Sequence, residues 1–163
     1  VEKVAISSVA IENPSVVSEM TSAVGSQSVV TIIDVRKKKG IFNKSYEVCT
    51  HNATKVHRQD PIEFALEQQE LGVGEIVMNS IDRDGSMQGY DLELAKKLKS
   101  SLRIPLTILG GAGSLDDLVS LFDTIGLVGG AAGSLFVFKG KYRAVLINYP
   151  TLDQKFEMCQ NII

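Results

Sequence analysis

Apolar, β-branched runs recur along this chain, and most of them are followed by a segment with helical spacing. The runs are nearly continuous in apolarity rather than alternating with polar positions, which is typical of parallel strands buried on both faces. Five strands are therefore predicted, at residues 4–11, 29–35, 75–81, 106–109 and 127–132.

Helix signals fill the spaces between these runs. A capping residue followed by proline marks a helix start at Asn13–Pro14 and again at Asp60–Pro61. Asp91 begins a helical segment through residue 102, Ser114 begins another through residue 125, and a last helix is predicted from Thr151. The alternation of strand and helix indicates right-handed parallel crossovers in a single α/β domain of residues 1–163.

Residues 37–59 interrupt this alternation. The segment is mostly polar and contains three consecutive lysines, Gly40 and both histidines, His51 and His57. We predict a long loop with solvated histidines. A loop of this length in a compact domain is usually functional or mobile, and it is long enough to close over a substrate.

Two architectures fit a set of parallel strands, an open doubly wound sheet and a part of a (β/α)8 barrel. Five strands are too few for a closed barrel, which needs about 250 residues. The sequence begins on a strand, with Lys3 at its edge. We therefore expect further βα units upstream, so that the chain is either a fragment or associates with another chain, including a second copy of itself, across an open sheet edge.

Composition narrows the function classes. Lys plus Arg total 17 and Asp plus Glu total 19, so no basic excess exists to bind a phosphate backbone, and we expect no nucleic-acid partner. No apolar stretch reaches the ~18 residues of a membrane span, and the first residues lack the pattern of a signal peptide. Cys49 and Cys159 show no disulfide or zinc spacing. A cytoplasmic protein without metal, cofactor or membrane contact is expected.

Ligands bind at the carboxyl ends of parallel strands in both architectures. Two of these ends are glycine clusters, at residues 110–113 and 130–134, the first directly before a helix start. Glycine lets backbone N–H groups approach an anion, and a helix N-terminus adds a favourable field. Each cluster alone also fits a tight turn, but two at successive strand ends favour a phosphate site.

Asp34 is the strongest candidate for a catalytic residue. A carboxylate directly after the apolar run VVTII is costly unless it faces a polar opening, where it can act as a general acid or base. A helix cap, or an ion pair with Arg36, would explain it equally well.

Other charged residues fit structural roles on position alone. Residues 82–84, Asp-Arg-Asp, suit a solvated turn with an internal ion pair, and Lys3 and Glu75 suit an ion pair at the opposite rim of the sheet.

Five blocks, in order across residues 1 to about 140, resemble the HisF family, the cyclase subunit of imidazole glycerol phosphate synthase. They are VAISSVAIENPSVV, VVTIIDVR, LGVGEIVMNSIDRDGSMQGYDLEL, PLTILGGAGSLDDL and AAGSLFVF. The tail KGKYRAVLINYP and Asn79 look more like the WbuZ-type sister branch, which is associated with amidation of surface-polysaccharide sugars. A related sugar isomerase barrel, HisA-like, shares the phosphate sites, but the SIDRDG block and the Lys3/Glu75 pair favour HisF.

The resemblance implies a (β/α)8 barrel, of which this chain supplies about five βα units, strands four to eight. It implies a cyclase that takes ammonia from a glutaminase partner (HisH-like) and converts a phosphorylated substrate, PRFAR, into imidazole glycerol phosphate and AICAR in histidine biosynthesis. The alternatives are amidation of polysaccharide sugars and a non-catalytic partial barrel that only binds phosphate.

The resemblance also implies residue roles. Asp34 matches one of the family's two acid/base aspartates, and the other has no counterpart in this chain. Lys3 and Glu75 match members of a charged gate for ammonia at the bottom of the barrel. Together with Gly110 from the glycine turn, the positions expected to bind substrate or phosphate are Ser7, Ser8, Asp84, Gly85, Gly111, Gly133 and Ser134.

Overall fold

The computed structural model describes residues 2–38, 45–140 and 142–160. Its strands are β1 (Val4–Ile6), β2 (Val29–Lys37), β3 (Tyr46–Thr50), β4 (Lys55–His57), β5 (Glu75–Ser80), β6 (Leu106–Leu109), β7 (Gly129–Gly130), β8 (Phe138–Lys139) and β9 (Ala144–Val145). Its helices are α1 (Ser8–Glu12), α2 (Pro14–Val24), α3 (Pro61–Glu70), α4 (Leu92–Ser101), α5 (Leu115–Ile125), α6 (Ser134–Val137) and α7 (Leu152–Cys159).

Five parallel strands form the centre of the sheet. β1 pairs with β2, β2 with β5, β5 with β6 and β6 with β7, all in parallel, so the spatial order follows the chain order. A doubly wound sheet reverses its strand order at a switch point, and this sheet does not. The arrangement is part of a (β/α)8 barrel, as the sequence predicts.

The sheet has two different faces. Ile33, Ile76 and Ile108 lie on the side covered by the helices and are almost fully buried, among Leu94 and Leu121. Residues at the alternate positions of β2, β5 and β6 face the other side and are half-buried from the middle of each strand onward. This second face corresponds to the interior of the barrel, where the candidate site residues lie.

The predicted helix starts are confirmed at residue level. Asp60 accepts hydrogen bonds from the N–H groups of Ile62 and Glu63, and Ser114 forms a reciprocal capping box with Asp117. α7 begins after Thr151 with a second capping box. α2 also starts as predicted, although the Asn13 side chain accepts from Ser15 and caps no N–H of the helix.

The prediction of a loop over residues 37–59 is wrong. β2 continues to Lys37, and β3 pairs antiparallel with its end, so that Asp34 lies opposite Cys49 and Lys37 opposite Tyr46. β4 then extends this hairpin. Because Val48 and Cys49 are 1% exposed, the hairpin is a packed part of the sheet edge. Residues 39–44 lie outside the described residues.

Two predicted strands are shorter than expected. The first ends at Ile6, and residues 8–12 are helical, because a short apolar run fits either structure and Ala10 is fully buried in the helix. The last contains only Gly129 and Gly130. A side chain at Gly129 would meet the Thr107 hydroxyl and approach its backbone, so close packing requires glycine there, and one at Gly130 would displace the end of the Leu118 side chain.

Candidate active site at the carboxyl ends of the strands

Asp34 and Asn79 lie side by side in the site. The register of β2 and β5 places them directly opposite each other, and both face the barrel interior. The Asn79 amide nitrogen donates a hydrogen bond to Asp34 Oδ1 over 2.8 Å. Hydrogen bonds to an ionised carboxylate are among the stronger ones in proteins. The pair therefore holds a carboxylate in a defined orientation next to the opening.

Neither structural explanation of Asp34 applies. It lies inside β2 and caps no helix. Arg36 pairs with Glu47 on β3, at 2.8 Å, instead of with Asp34. The hydrogen bond that Arg36 donates to Glu47 raises the pKa of the Arg36 guanidinium, so its charge is committed to Glu47. Asp34 thus stays a candidate for acid/base chemistry, as the sequence predicts.

Three of the predicted phosphate-binding residues come together on an open surface. A side chain at Gly85 would lie 4.0 Å from the Ser134 hydroxyl, and one at Gly133 would meet nothing within 4 Å. Gly85 and Gly133 are exposed, as is Asp84 beside them. These backbone segments leave room for a small anion.

Gly110 and Gly111 lie in the turn after β6. Both are buried, with φ angles of +94° and +110°. A side chain at Gly110 would lie 2.6 Å from the Ser80 carbonyl oxygen, and one at Gly111 would collide with the Gly89 carbonyl oxygen. The Gly89 N–H donates to the Gly111 carbonyl over 2.8 Å. The turn after β6 is therefore packed against the loop after β5, and its glycines permit that contact.

Ser7 and Ser8 follow β1 at the same edge of the sheet. Ser7 precedes α1 without capping it through its side chain. The Ser8 hydroxyl accepts a hydrogen bond from the His51 N–H at 3.2 Å, which joins it to the turn between β3 and β4. The turn of the hairpin therefore lies next to this strand end.

The internal ion pair predicted for residues 82–84 is not formed in the described part of the chain. Asp82 accepts from the Lys37 N–H at 2.6 Å, at the end of β2. Arg83 donates to the Gly89 carbonyl at 3.0 Å, and its Nε lies 3.9 Å from Asp91 Oδ2. Both side chains therefore connect the loop after β5 to its neighbours.

Asp91 is more than the helix cap that the sequence predicts. It is 3% exposed, accepts from the Leu94 N–H, and accepts from the Tyr46 hydroxyl, which lies 3.1 Å from Oδ1. Burial, together with the Asp91 charge, raises the pKa of Tyr46. Asp91 joins the hairpin, α4 and the loop after β5. Sequence spacing identifies the cap, but the contact with Tyr46 spans 45 residues and has no local signal.

Lys3 and Glu75 form the predicted ion pair at the amino ends of the strands, with Lys3 Nζ 2.6 Å from Glu75 Oε2. Thr107 donates to the other carboxylate oxygen over 2.7 Å. Burial raises the pKa of Glu75, but the hydrogen bonds from Lys3 and Thr107 outweigh it, so the net shift is downward. Glu75 and Asn79 are four residues apart on one strand, about 13 Å.

A cavity of about 450 Å³ opens beside Glu75 at this amino-terminal edge. Its lining includes Thr107, Arg103, Pro105 and Leu127. The charged pair therefore lies at the edge of the sheet opposite to Asp34.

The histidines are only partly as predicted. His51 is exposed, and its Nε2 lies 2.8 Å from Glu12 Oε1. Hydrogen bonds from His51 and Lys55 lower the pKa of Glu12 to about 2. His57 is not solvated: it is half-buried, and a ring nitrogen lies 2.9 Å from the Thr50 hydroxyl.

Within residues 2–38, 45–140 and 142–160, no group of three His, Cys, Asp or Glu side chains could hold a metal ion. Among the same residues, no helix has the length and apolarity to cross a membrane.

Comparison with known proteins points to one family. The sequence model described as "Histidine biosynthesis protein" matches residues 1–143. A Leptospira interrogans protein, named provisionally as imidazole glycerol phosphate synthase subunit HisF, is 54% identical over 155 residues, which are 95% of this chain and 60% of that protein. The subunit HisF of Petrotoga mobilis is 39% identical over 143 residues, 88% of this chain and 55% of that protein. The chain therefore spans little more than half the length of these relatives.

Proposed function

This chain belongs to the HisF family of histidine biosynthesis proteins, and from that premise we propose that it supplies part of an ammonia-using cyclase site, with Asp34 as an acid/base group. The reaction would be the conversion of PRFAR into imidazole glycerol phosphate and AICAR. The observation that carries the proposal is the position of Asp34. A half-buried carboxylate, held by Asn79, faces the barrel interior at the end of the sheet where substrates bind.

The residues around Asp34 suit a phosphorylated substrate. Gly85, Gly133 and Ser134 leave an open backbone surface at neighbouring strand ends, which fits a phosphate group. Ser7 and Ser8 would contact a second phosphate from the end of β1. Asp84 would face the substrate between them. Gly110 and Gly111 would act indirectly, by holding the loop that carries Gly85.

A glutaminase partner would dock at the opposite edge. Lys3 and Glu75 stand at the amino ends of β1 and β5, where ammonia would enter the interior. The inner positions of β2 and β5 between the two ends are Ile32 and Val77, in register with each other. An apolar path suits neutral ammonia and disfavours ammonium, because a charge loses its hydration there.

The decisive experiment follows PRFAR consumption by absorbance in a high-ammonium buffer without a glutaminase. We expect Asp34→Asn to lower turnover by about 100-fold or more, while the binding of PRFAR changes only a few-fold. Asp153→Asn, at an exposed position of α7 outside the proposed site, removes the same charge and is the control. Undiminished turnover in Asp34→Asn would contradict the assignment.

Sugar amidation is the second candidate function. Asn79 next to Asp34 supports it, since this residue resembles the WbuZ-type branch more than the ordinary cyclase. Ammonia-dependent modification of a sugar nucleotide, with no consumption of PRFAR, would favour this pathway. Binding of PRFAR without any ammonia-dependent reaction would favour a phosphate-binding partial barrel.

We also propose that the open edges of the parallel sheet associate with further polypeptide, for which a second copy of the chain is one source. Val4 on β1 is 39% exposed, and Leu127 before β7 is 79% exposed. Light scattering coupled to size-exclusion chromatography tests self-association. A monomer at all concentrations would exclude it.

A further inference from the structure

Two buried side-chain polar atoms in the described part of the chain have no hydrogen-bond partner, Asn79 Oδ1 and Ser86 Oγ. Both belong to the end of β5 and the loop after it. Buried polar atoms are nearly always partnered in folded proteins, so an exception calls for an explanation. Unfavourable groups of this kind concentrate at functional sites, where another requirement outweighs their cost.

Asn79 Oδ1 lacks a partner because the amide nitrogen of Asn79 is directed toward Asp34. An ionised carboxylate only accepts hydrogen bonds, so the amide nitrogen must face it and the carbonyl oxygen must point away. On that other side the oxygen lies above the turn at Gly110, where an added side chain would lie 3.2 Å from it. Rotating the amide would give Oδ1 a different neighbour, but it would place an oxygen against the carboxylate. The orientation that serves Asp34 is therefore the one that leaves Oδ1 without a partner.

We propose that Asn79 is a positioning residue, which fixes the direction of the Asp34 carboxylate. The inference rests on the acid/base role proposed for Asp34. A cross-strand hydrogen bond that served stability alone would gain from a partner at both ends of the amide, and this one has a partner only at the Asp34 end. Asn79 acts through Asp34 and needs no contact with the substrate.

Two variants separate positioning from stability. Asn79→Ala removes the donor, and we expect kcat to fall by about 100-fold because a misdirected acid/base group loses most of its effect. KM should change by less than about three-fold. Asn79→Thr retains a hydroxyl that can donate and suits a strand, so it should recover about ten-fold of the loss.

A third variant gives a readout that a structural role would not affect. Asn79→Asp places a second carboxyl against Asp34, and two carboxyls in contact retain a proton to higher pH than one. The limb of the pH–rate profile that reports Asp34 should move to higher pH by about one to three units. Gln27→Glu, exposed and directly before the amino end of β2, adds the same charge at the end of the strand opposite to Asp34 and should leave the profile unchanged.

The outcomes distinguish this inference from the proposed function. If the unchanged chain consumes no PRFAR, the proposed function fails, and the positioning role fails with it. If the chain is active and Asp34→Asn is not, but the Asn79 variants keep kcat and the pH profile, only the positioning role is refuted. The positioning role would also be refuted if kcat of the Asn79 variants fell only in proportion to their Tm and Asn79→Thr recovered no activity.

Discussion

Replacement of Asp91 by alanine tests how the hairpin is attached to the rest of the sheet. Asp91 is 3% exposed and holds three elements together. It caps α4 by accepting from the Leu94 N–H at 3.2 Å, and the Tyr46 hydroxyl of β3 lies 3.1 Å and 3.2 Å from its two oxygens. Lys37 and Arg83 lie further away, at 3.8 Å and 3.9 Å.

The expected loss follows from these contacts. Losing the cap costs about 1 kcal/mol. Leaving the buried Tyr46 hydroxyl without a partner costs about 1–3 kcal/mol. The two cations are partly exposed and at long distance, so they add little. The free energy of unfolding should fall by about 2–4 kcal/mol, which for a chain of this size lowers Tm by roughly 10 °C.

Thermal unfolding followed by circular dichroism measures this loss, and Tyr46→Phe completes a double-mutant cycle. Tyr46→Phe removes the hydroxyl that Asp91→Ala would leave unpaired. The double variant should therefore be more stable than the sum of the single effects predicts, by about 1 kcal/mol. Additive effects, or a loss below about 1 kcal/mol for Asp91→Ala, would refute the proposed connection between Tyr46 and Asp91.

Further expectations concern pH, backbone strain and anion binding. The Glu12 carboxyl has a pKa lowered from 4.5 to about 2, so its stabilising effect is complete above pH 4.5 and is lost as the pH falls toward 2. Glu12→Gln should remove that part of the pH dependence of Tm, and an unchanged pH dependence would contradict it. Gly111→Ala should be far more destabilising in urea unfolding than Gly126→Ala. Both glycines have positive φ, but only at Gly111 would the added methyl group clash with a backbone carbonyl. Equal losses of stability would count against close packing of the turn. Gly133→Ala has room and a φ of −101°, so Tm should stay unchanged while phosphate binding, measured by calorimetry, weakens. Full phosphate affinity would remove Gly133 from the proposed site.

Local signals proved sufficient for most of the βα units. Residues 106–109 form a strand with the predicted bounds, and Ser114 caps the predicted helix. These features depend on neighbouring residues alone, such as a capping side chain three positions from its N–H group or a continuous apolar run.

The hairpin shows where local reading fails. Tyr46–Thr50 lies in a polar segment, and its pairing partner is the far end of β2. The turn into β4 has three consecutive positive φ angles, at His51, Asn52 and Ala53. None of these residues is glycine, so the sequence gives no signal for the turn. Only the assembled sheet edge provides the surface on which Val48 and Cys49 are buried.

The sequence by itself determined the order of the five parallel strands and of the helices α2, α3, α4, α5 and α7, together with most helix caps, the family, and Asp34 as the residue to examine. Only the tertiary structure decided which contacts these residues make. Asn79 meets Asp34 across 45 residues, and Glu75 meets both Lys3 and Thr107. Helix caps and apolar runs arise within one turn or one strand. Side-chain contacts between strands depend on register and on which face each residue takes, and these are set by packing of the whole sheet.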